Sequence, residues 1–138
     1  MPADTGALAA VPRVESQSRI LIVDDHEDNI EVLKVRLESW GYQTASAYNG
    51  MDALAYVTAS PPDLILLDVM MPRMDGFGVC QLLKSDPATA SIPIVMFTSL
   101  DAEDVPARAQ RAGAIGVLMK PCPLERLTLT IESAVRQI

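Results

Sequence analysis

Short unbroken apolar runs alternate along this chain with longer stretches in which apolar residues return every three or four positions. The runs at 20–23, 64–67, 94–97 and 115–119 carry almost no polar side chain. That is the pattern of strands inside a parallel sheet, where both faces are covered and neither row of side chains meets water. A weaker strand is read at 42–47. Between the runs, Ile30, Leu33, Leu37 and Trp40 recur at helical spacing, with Gly41 as a stop. Met51, Leu54 and Thr58 mark a second helix, ended by Pro61 and Pro62. Phe77, Cys80 and Leu83 share one face of a third, stopped by Pro87. A fourth spans 103–112, with Pro106 near its first turn, where proline is tolerated, and Gly113 after it. Leu124, Leu127, Ile131, Val135 and Ile138 form the clearest apolar stripe, a fifth helix.

Five strand–helix pairs in strict alternation predict an α/β domain: a doubly wound, five-stranded parallel sheet with helices on both faces, in the order 2-1-3-4-5. Residues 1–17 are rich in Ala and Pro and lack periodicity, so they read as a disordered tail before a single domain at 18–138. There are no internal repeats and no sign of a second domain.

In such a sheet, sites form beyond the carboxyl ends of the strands, where the winding reverses. Asp24 and Asp25 follow the first strand, Asp68 the third, Thr98 closes the fourth, and Lys120 follows the fifth. The topology therefore gathers these residues at one edge. Any one of them alone reads as a strand-end cap or a solvated loop charge; together they read as a site. Two like charges about 4 Å apart repel by about 4 kcal/mol at an effective dielectric near 20, so three carboxylates need cations among them. Lys120 supplies one. Mg²⁺, a hard cation that takes carboxylate oxygens and keeps several waters, suits the rest. An aspartate nucleophile, a metal, a lysine and a hydroxyl are the parts that phosphoryl transfer uses.

Composition narrows the reading. The net charge of −7 argues against a nucleic-acid surface, which is usually basic. No apolar run approaches the roughly 20 residues of a membrane span, and the first residues lack a secretory signal. A cytoplasmic protein without direct nucleic-acid or membrane contact is expected. Cys80 and Cys122 have no metal or redox spacing and read as reduced thiols.

The segments ILIVDDHEDN, PDLILLDVMMPRMDG, IPIVMFTS and GVLMKP resemble, in order and spacing, the receiver domain of two-component response regulators. The likeness covers about 18–138 and implies a flavodoxin-like fold. It implies that Asp68 accepts a phosphoryl group from a sensor histidine kinase or histidine phosphotransfer protein. Asp24 and Asp25 would bind Mg²⁺, with Asp25 the direct ligand, joined by Asp68 and the backbone carbonyl of Met70. Lys120 would pair with Asp68 or its phosphate, Thr98 would turn toward a phosphate oxygen, and the Lys120–Pro121 bond would be cis. Partners would be a downstream protein or output domain, or a second copy on phosphorylation, through the face of the fourth helix, fifth strand and fifth helix. Enzymatic activity would go no further than self-phosphorylation and slow self-dephosphorylation.

Several positions depart from the family pattern. Val117 stands where relatives often carry an aromatic switch residue that moves with the threonine, and Cys122 where an aromatic often follows the proline. Met70 and Leu100, two residues past Asp68 and Thr98, are apolar where side chains flank the attacking water. His26 reads as a solvated loop histidine, and Asp75 is not read as a ligand. Two rival functions remain: a phosphate-independent, receiver-like interaction module, and a Mg²⁺-dependent aspartyl phosphohydrolase, which would carry a second acid at the position of Met70. A flavin module would need a Gly/Ser/Thr-rich loop in place of DDHEDN. The sequence suits either a stand-alone regulator or the receiver of a larger one.

Overall fold

A computed structural model describes residues 18–136. The strands are β1 (Arg19–Val23), β2 (Gln43–Ala47), β3 (Leu64–Leu67), β4 (Ile94–Thr98) and β5 (Gly116–Met119). The helices are α1 (Glu27–Ser39), α2 (Gly50–Ala59), α3 (Gly76–Ser85), α4 (Val105–Ala112) and α5 (Leu124–Arg136). All four pairings are parallel, and the sheet order is β2-β1-β3-β4-β5, as the alternation predicts.

Side chains alternate between the two faces of a strand, and this divides the core in two. Leu21, Val23, Ile65, Leu67, Ile94 and Met96 pack under α2, α3 and α4. Ile20, Ile22, Leu64, Leu66, Val95 and Leu118 pack under α1 and α5. The inner strands β1, β3 and β4 are therefore apolar wherever a helix covers them, from Ile20 to Val23, Leu64 to Leu67 and Ile94 to Phe97. At about 25 cal/mol per Å² of apolar area, such burial is the main stabilising force.

The helices keep their expected places with three corrections. In α2 the buried positions are Gly50, Ala53 and Val57. Met51 is exposed and Leu54 half-buried, because the small residues let the helix sit close to its neighbours and the larger ones go to its rim. Helix α4 begins at Val105, not 103, with Pro106 in its first turn. Proline has no N–H to donate and its ring crowds a preceding helical turn, so a helix starts most easily there. In α5, Leu127, Ile131 and Ala134 are buried, whereas Leu124 is 45% exposed. Ile138 and the tail at 1–17 lie outside the described residues. Gly113 ends α4 at φ 105, the left-handed region where a Cβ would be strained.

Candidate functional site

The backbone fixes the site residues before their side chains interact. The amide of Asp24 donates to the Ala47 carbonyl at 3.1 Å, that of Asp68 to Val23 at 3.0 Å, and that of Lys120 to Thr98 at 2.9 Å. Each is a last rung added beyond the carboxyl end of a strand. Asp24, Asp68 and Thr98 are buried, at 2%, 6% and 0% exposure. Burial of this kind is costly for polar groups unless they are partnered.

Lys120 supplies the partner. Its Nζ lies 2.7 Å from Asp24 Oδ2 and 3.7 Å from Asp68 Oδ2. The expected pairing with Asp68 is thus shared, and the closer contact goes to Asp24, whose side chain is the less exposed of the two. An ammonium gains most beside the carboxylate that water screens least. Asp24 also accepts from the His26 amide at 2.9 Å and from Asn29 Nδ2 at 3.2 Å. Burial pushes its carboxyl upward, but these donors and Lys120 outweigh it and hold the group below the usual carboxylate range.

Asp68 is poised differently. Burial raises its carboxyl above the usual range, and the neighbouring charge of Asp24 adds to the rise. Lys120, the Met70 amide at 3.3 Å and the Thr98 hydroxyl oppose this without cancelling it. The Thr98 oxygen meanwhile accepts from the Leu100 amide at 3.0 Å, which ties the start of the β4–α4 loop to the site.

Asp25 carries a buried Oδ1 that makes no hydrogen bond. Its one close polar neighbour among the described residues is the His26 Nδ1, at 3.1 Å, so the oxygen has no fixed donor while that imidazole ring nitrogen is unprotonated. His26 is 70% exposed, as a loop histidine should be, but its Nδ1 lies 3.3 Å from Asp24 and 3.1 Å from Asp25. This contact was not legible in the sequence. Ligand atoms of Asp24, Asp25 and His26 fall within 4.8 Å of one another. The carboxylate oxygens fit a hard divalent cation, whereas the imidazole nitrogen is a softer donor at the rim.

Other residues singled out in the sequence lie around this centre. The Lys120–Pro121 bond is cis. Val117 is half-buried on β5, opposite Met96, and packs against the larger core cluster. Cys122 packs beside the second cluster, and burial pushes its thiol up, as suits a packing residue. Cys80 is buried, with its thiol raised to about 11. Asp75 is a cap: its Oδ1 accepts from the Gly78 amide at 2.9 Å and so satisfies the start of α3.

Gly76 brings α3 directly onto the end of β3. A Cβ there would lie 2.3 Å from the Asp68 carbonyl oxygen and 2.9 Å from the Val69 Cα. Above these residues opens a cleft of about 590 Å³, lined by Asp25, Asp68, Met70, Leu100, Arg108 and Lys120 among others.

Comparison with known proteins agrees with this construction. Residues 20–132 match the family described as the response regulator receiver domain, and the chain belongs to that family. It is 43% identical over 119 residues to the response regulator PleD of Caulobacter vibrioides, covering 86% of this chain and 26% of PleD. It is 36% identical to protein PilH of Pseudomonas aeruginosa, covering 86% of this chain and 98% of PilH. The chain thus spans about a quarter of PleD and nearly all of PilH. A solved signal receiver domain of a signal transduction histidine kinase from Syntrophus aciditrophicus superimposes with a TM-score of 0.82 at 36% identity, covering 88% of this chain and 92% of that one. Vibrio cholerae chemotaxis protein CheY4 gives 0.79 at 29% identity, covering 85% of this chain and 98% of its own. Among the described residues, no helix is long and apolar enough to cross a membrane.

Proposed function

We propose that Asp68 accepts a phosphoryl group from a phosphohistidine on a kinase or phosphotransfer protein, and that the domain passes the change to a downstream partner. The observation that carries this reading is the Asp68 carboxylate itself: buried, raised, and set at the floor of an open cleft beside Lys120 and Thr98. An Asp68 oxygen attacks phosphorus, an acyl phosphate bond forms, and the P–N bond to the imidazole breaks, with the electron pair leaving on the ring nitrogen. Lys120 and the Thr98 hydroxyl are placed to bind the transferred oxygens. Asp24 and Asp25, with Asp68 and the Met70 carbonyl, would hold Mg²⁺, which when bound neutralises charge on the phosphoryl oxygens.

The test is an intact-mass measurement after incubation with acetyl phosphate, with and without Mg²⁺. One added phosphoryl group that requires Mg²⁺ is expected. A folded protein labelled neither by acetyl phosphate nor by a cognate kinase would overturn the reading.

The same cleft bears on lifetime. Met70 and Leu100 line it, and neither can orient a water by hydrogen bonding. Self-dephosphorylation is expected to take many minutes or longer. Met70→Asn or Leu100→Glu should shorten that lifetime about tenfold, the effect of one added hydrogen bond to the attacking water. Decay of the phosphorylated mass measures it, and an unchanged lifetime in both variants would exclude this account.

For the output, the face of α4, β5 and α5 exposes Ile115, Met119 and Leu129, at 47%, 39% and 66%. This apolar strip is proposed to serve a downstream protein or a second copy, with Thr98 and Val117 beneath it as the switch. Moving such an equilibrium from 1:99 to 99:1 takes about 5.5 kcal/mol, within reach of a few charge-assisted hydrogen bonds to a phosphoryl group.

A further inference from the structure

Arg108, on α4, lines the same cleft as Asp68 and Lys120. Its guanidinium carbon stands 4.3 Å from the centroid of the Phe77 ring. Phe77 is 5% exposed and directly follows Gly76, the residue seated on the Asp68 carbonyl. The ring thus seats a flat cation at the cleft wall. Among the described residues its one ion pair is with Asp104, a turn earlier on the chain, at 4.0 Å. Both side chains are well exposed, 43% and 62%, and such a pair holds only weakly. Arg108 is therefore preorganised but loosely committed.

The charge balance of the cleft gives it a use. Asp24, Asp25 and Asp68 face Lys120, which already sits 2.7 Å from Asp24. A phosphoryl group adds a further charge of about −1.5 to −2 and three strong acceptor oxygens. We propose that Arg108 leaves Asp104 and binds the phosphoryl group on Asp68, as a specificity-determining residue that ties α4 to the phosphorylated state. This rests on the reading of Asp68 as the acceptor. A guanidinium presents paired donors that match two phosphoryl oxygens, which a lysine ammonium cannot do. The origin of the group matters as well. Thr98 ends β4 and Lys120 directly follows β5, both within the sheet, whereas Arg108 belongs to a helix that follows the exposed residues 101–104. Its contact would move a whole element of the proposed output face.

The test uses beryllofluoride with Mg²⁺, a non-covalent mimic of the phosphoryl group, on the full chain. Affinity is followed by fluorine NMR, and the Arg108 Nε resonance, assigned by its loss in Arg108→Gln, by proton–nitrogen NMR. Arg108→Gln is expected to weaken beryllofluoride about tenfold while leaving Mg²⁺ affinity unchanged, since a hydrogen bond to a charged group is worth about a decade in affinity. Arg108→Lys, which keeps the charge and loses the fork, should recover only part. Asp104→Asn, which frees the guanidinium without touching Phe77, should tighten binding. The Nε resonance should shift on ligand addition, a readout that a purely packing role would not move. Wild-type binding with an unchanged Arg108→Gln affinity and an unmoved Nε resonance would overturn this proposal alone. A wild type that binds no beryllofluoride would overturn it together with the acceptor role of Asp68.

Discussion

Asp68→Asn should leave the protein without any acyl phosphate and, in the same variant, make it harder to unfold at neutral pH. The first effect is complete: an amide offers no anionic oxygen to attack phosphorus, so no mass is added with acetyl phosphate and Mg²⁺. The second follows from where the carboxyl titrates. Its native value is raised, chiefly by burial and further by Asp24. A group raised in the native state favours folding while protonated, below the unfolded value near 3.8, and that contribution is lost as pH climbs through the native value. At neutral pH the ionised Asp68 therefore opposes folding, and removing its charge relieves the strain. Asp24 has the opposite sign: its native carboxyl is lowered, so its contribution is present above about 3.8 and lost as pH falls through the native value. Melting curves in EDTA at several pH values should show Asp68→Asn above wild type at pH 7, with the gap closing in acid, and Asp24→Asn below it. An Asp68→Asn protein less stable than wild type at pH 7 would show that the carboxylate holds the cleft together instead of straining it.

Gly76→Ala should be the most damaging single methyl in the domain. The added carbon would meet the Asp68 carbonyl oxygen at 2.3 Å and the Val69 Cα at 2.9 Å, and both are backbone. No rotamer change relieves a clash with main chain, so either α3 lifts or the end of β3 moves. Overpacking of this kind costs about 3 kcal/mol, a fall in melting temperature on the order of 10 °C for a domain of this size. Gly78→Ala is the control. Its methyl would rest 3.4 Å from the Met74 Cγ, an ordinary contact, while alanine favours the helix by up to about 1 kcal/mol. That variant should equal or exceed wild type. Calorimetry on both decides the matter, and a Gly76→Ala domain that melts with wild type would refute the close approach.

How much of this could be read from residues alone depended on the kind of signal. The apolar runs of β1, β3 and β4 announce themselves because a strand covered on both faces tolerates no polar residue, and these strands lie where the pattern puts them, whereas the apolar run at 115–119 belongs to the edge strand β5 and leaves Ile115 and Met119 exposed. Strand β2, at the sheet edge, has exposed or half-buried residues at all positions but Ala47, and so carries only a faint pattern. In α2 the bulky residues pointed to the wrong stripe, because close packing there is made by Gly50, Ala53 and Val57. The site residues were visible because each follows a strand whose order was known. Three features were not. The bridge of His26 to two carboxylates, the cap made by Asp75 and the stacking of Arg108 on Phe77 are loop or helix-surface contacts that no period encodes.

Lys120 enters the pocket at the end of β5, an edge strand hydrogen-bonded only to β4 and buried fully at Leu118 alone. Local openings in proteins begin at such lightly held margins. If β5 peels away while β1, β3 and β4 stay paired, Asp24 and Asp68 remain buried side by side with their shared counter-charge gone. Rising repulsion at the centre of the sheet would then penalise the opened form. The ammonium between the two carboxylates thus acts as a latch, so fraying of this margin meets resistance that its few hydrogen bonds alone would not provide.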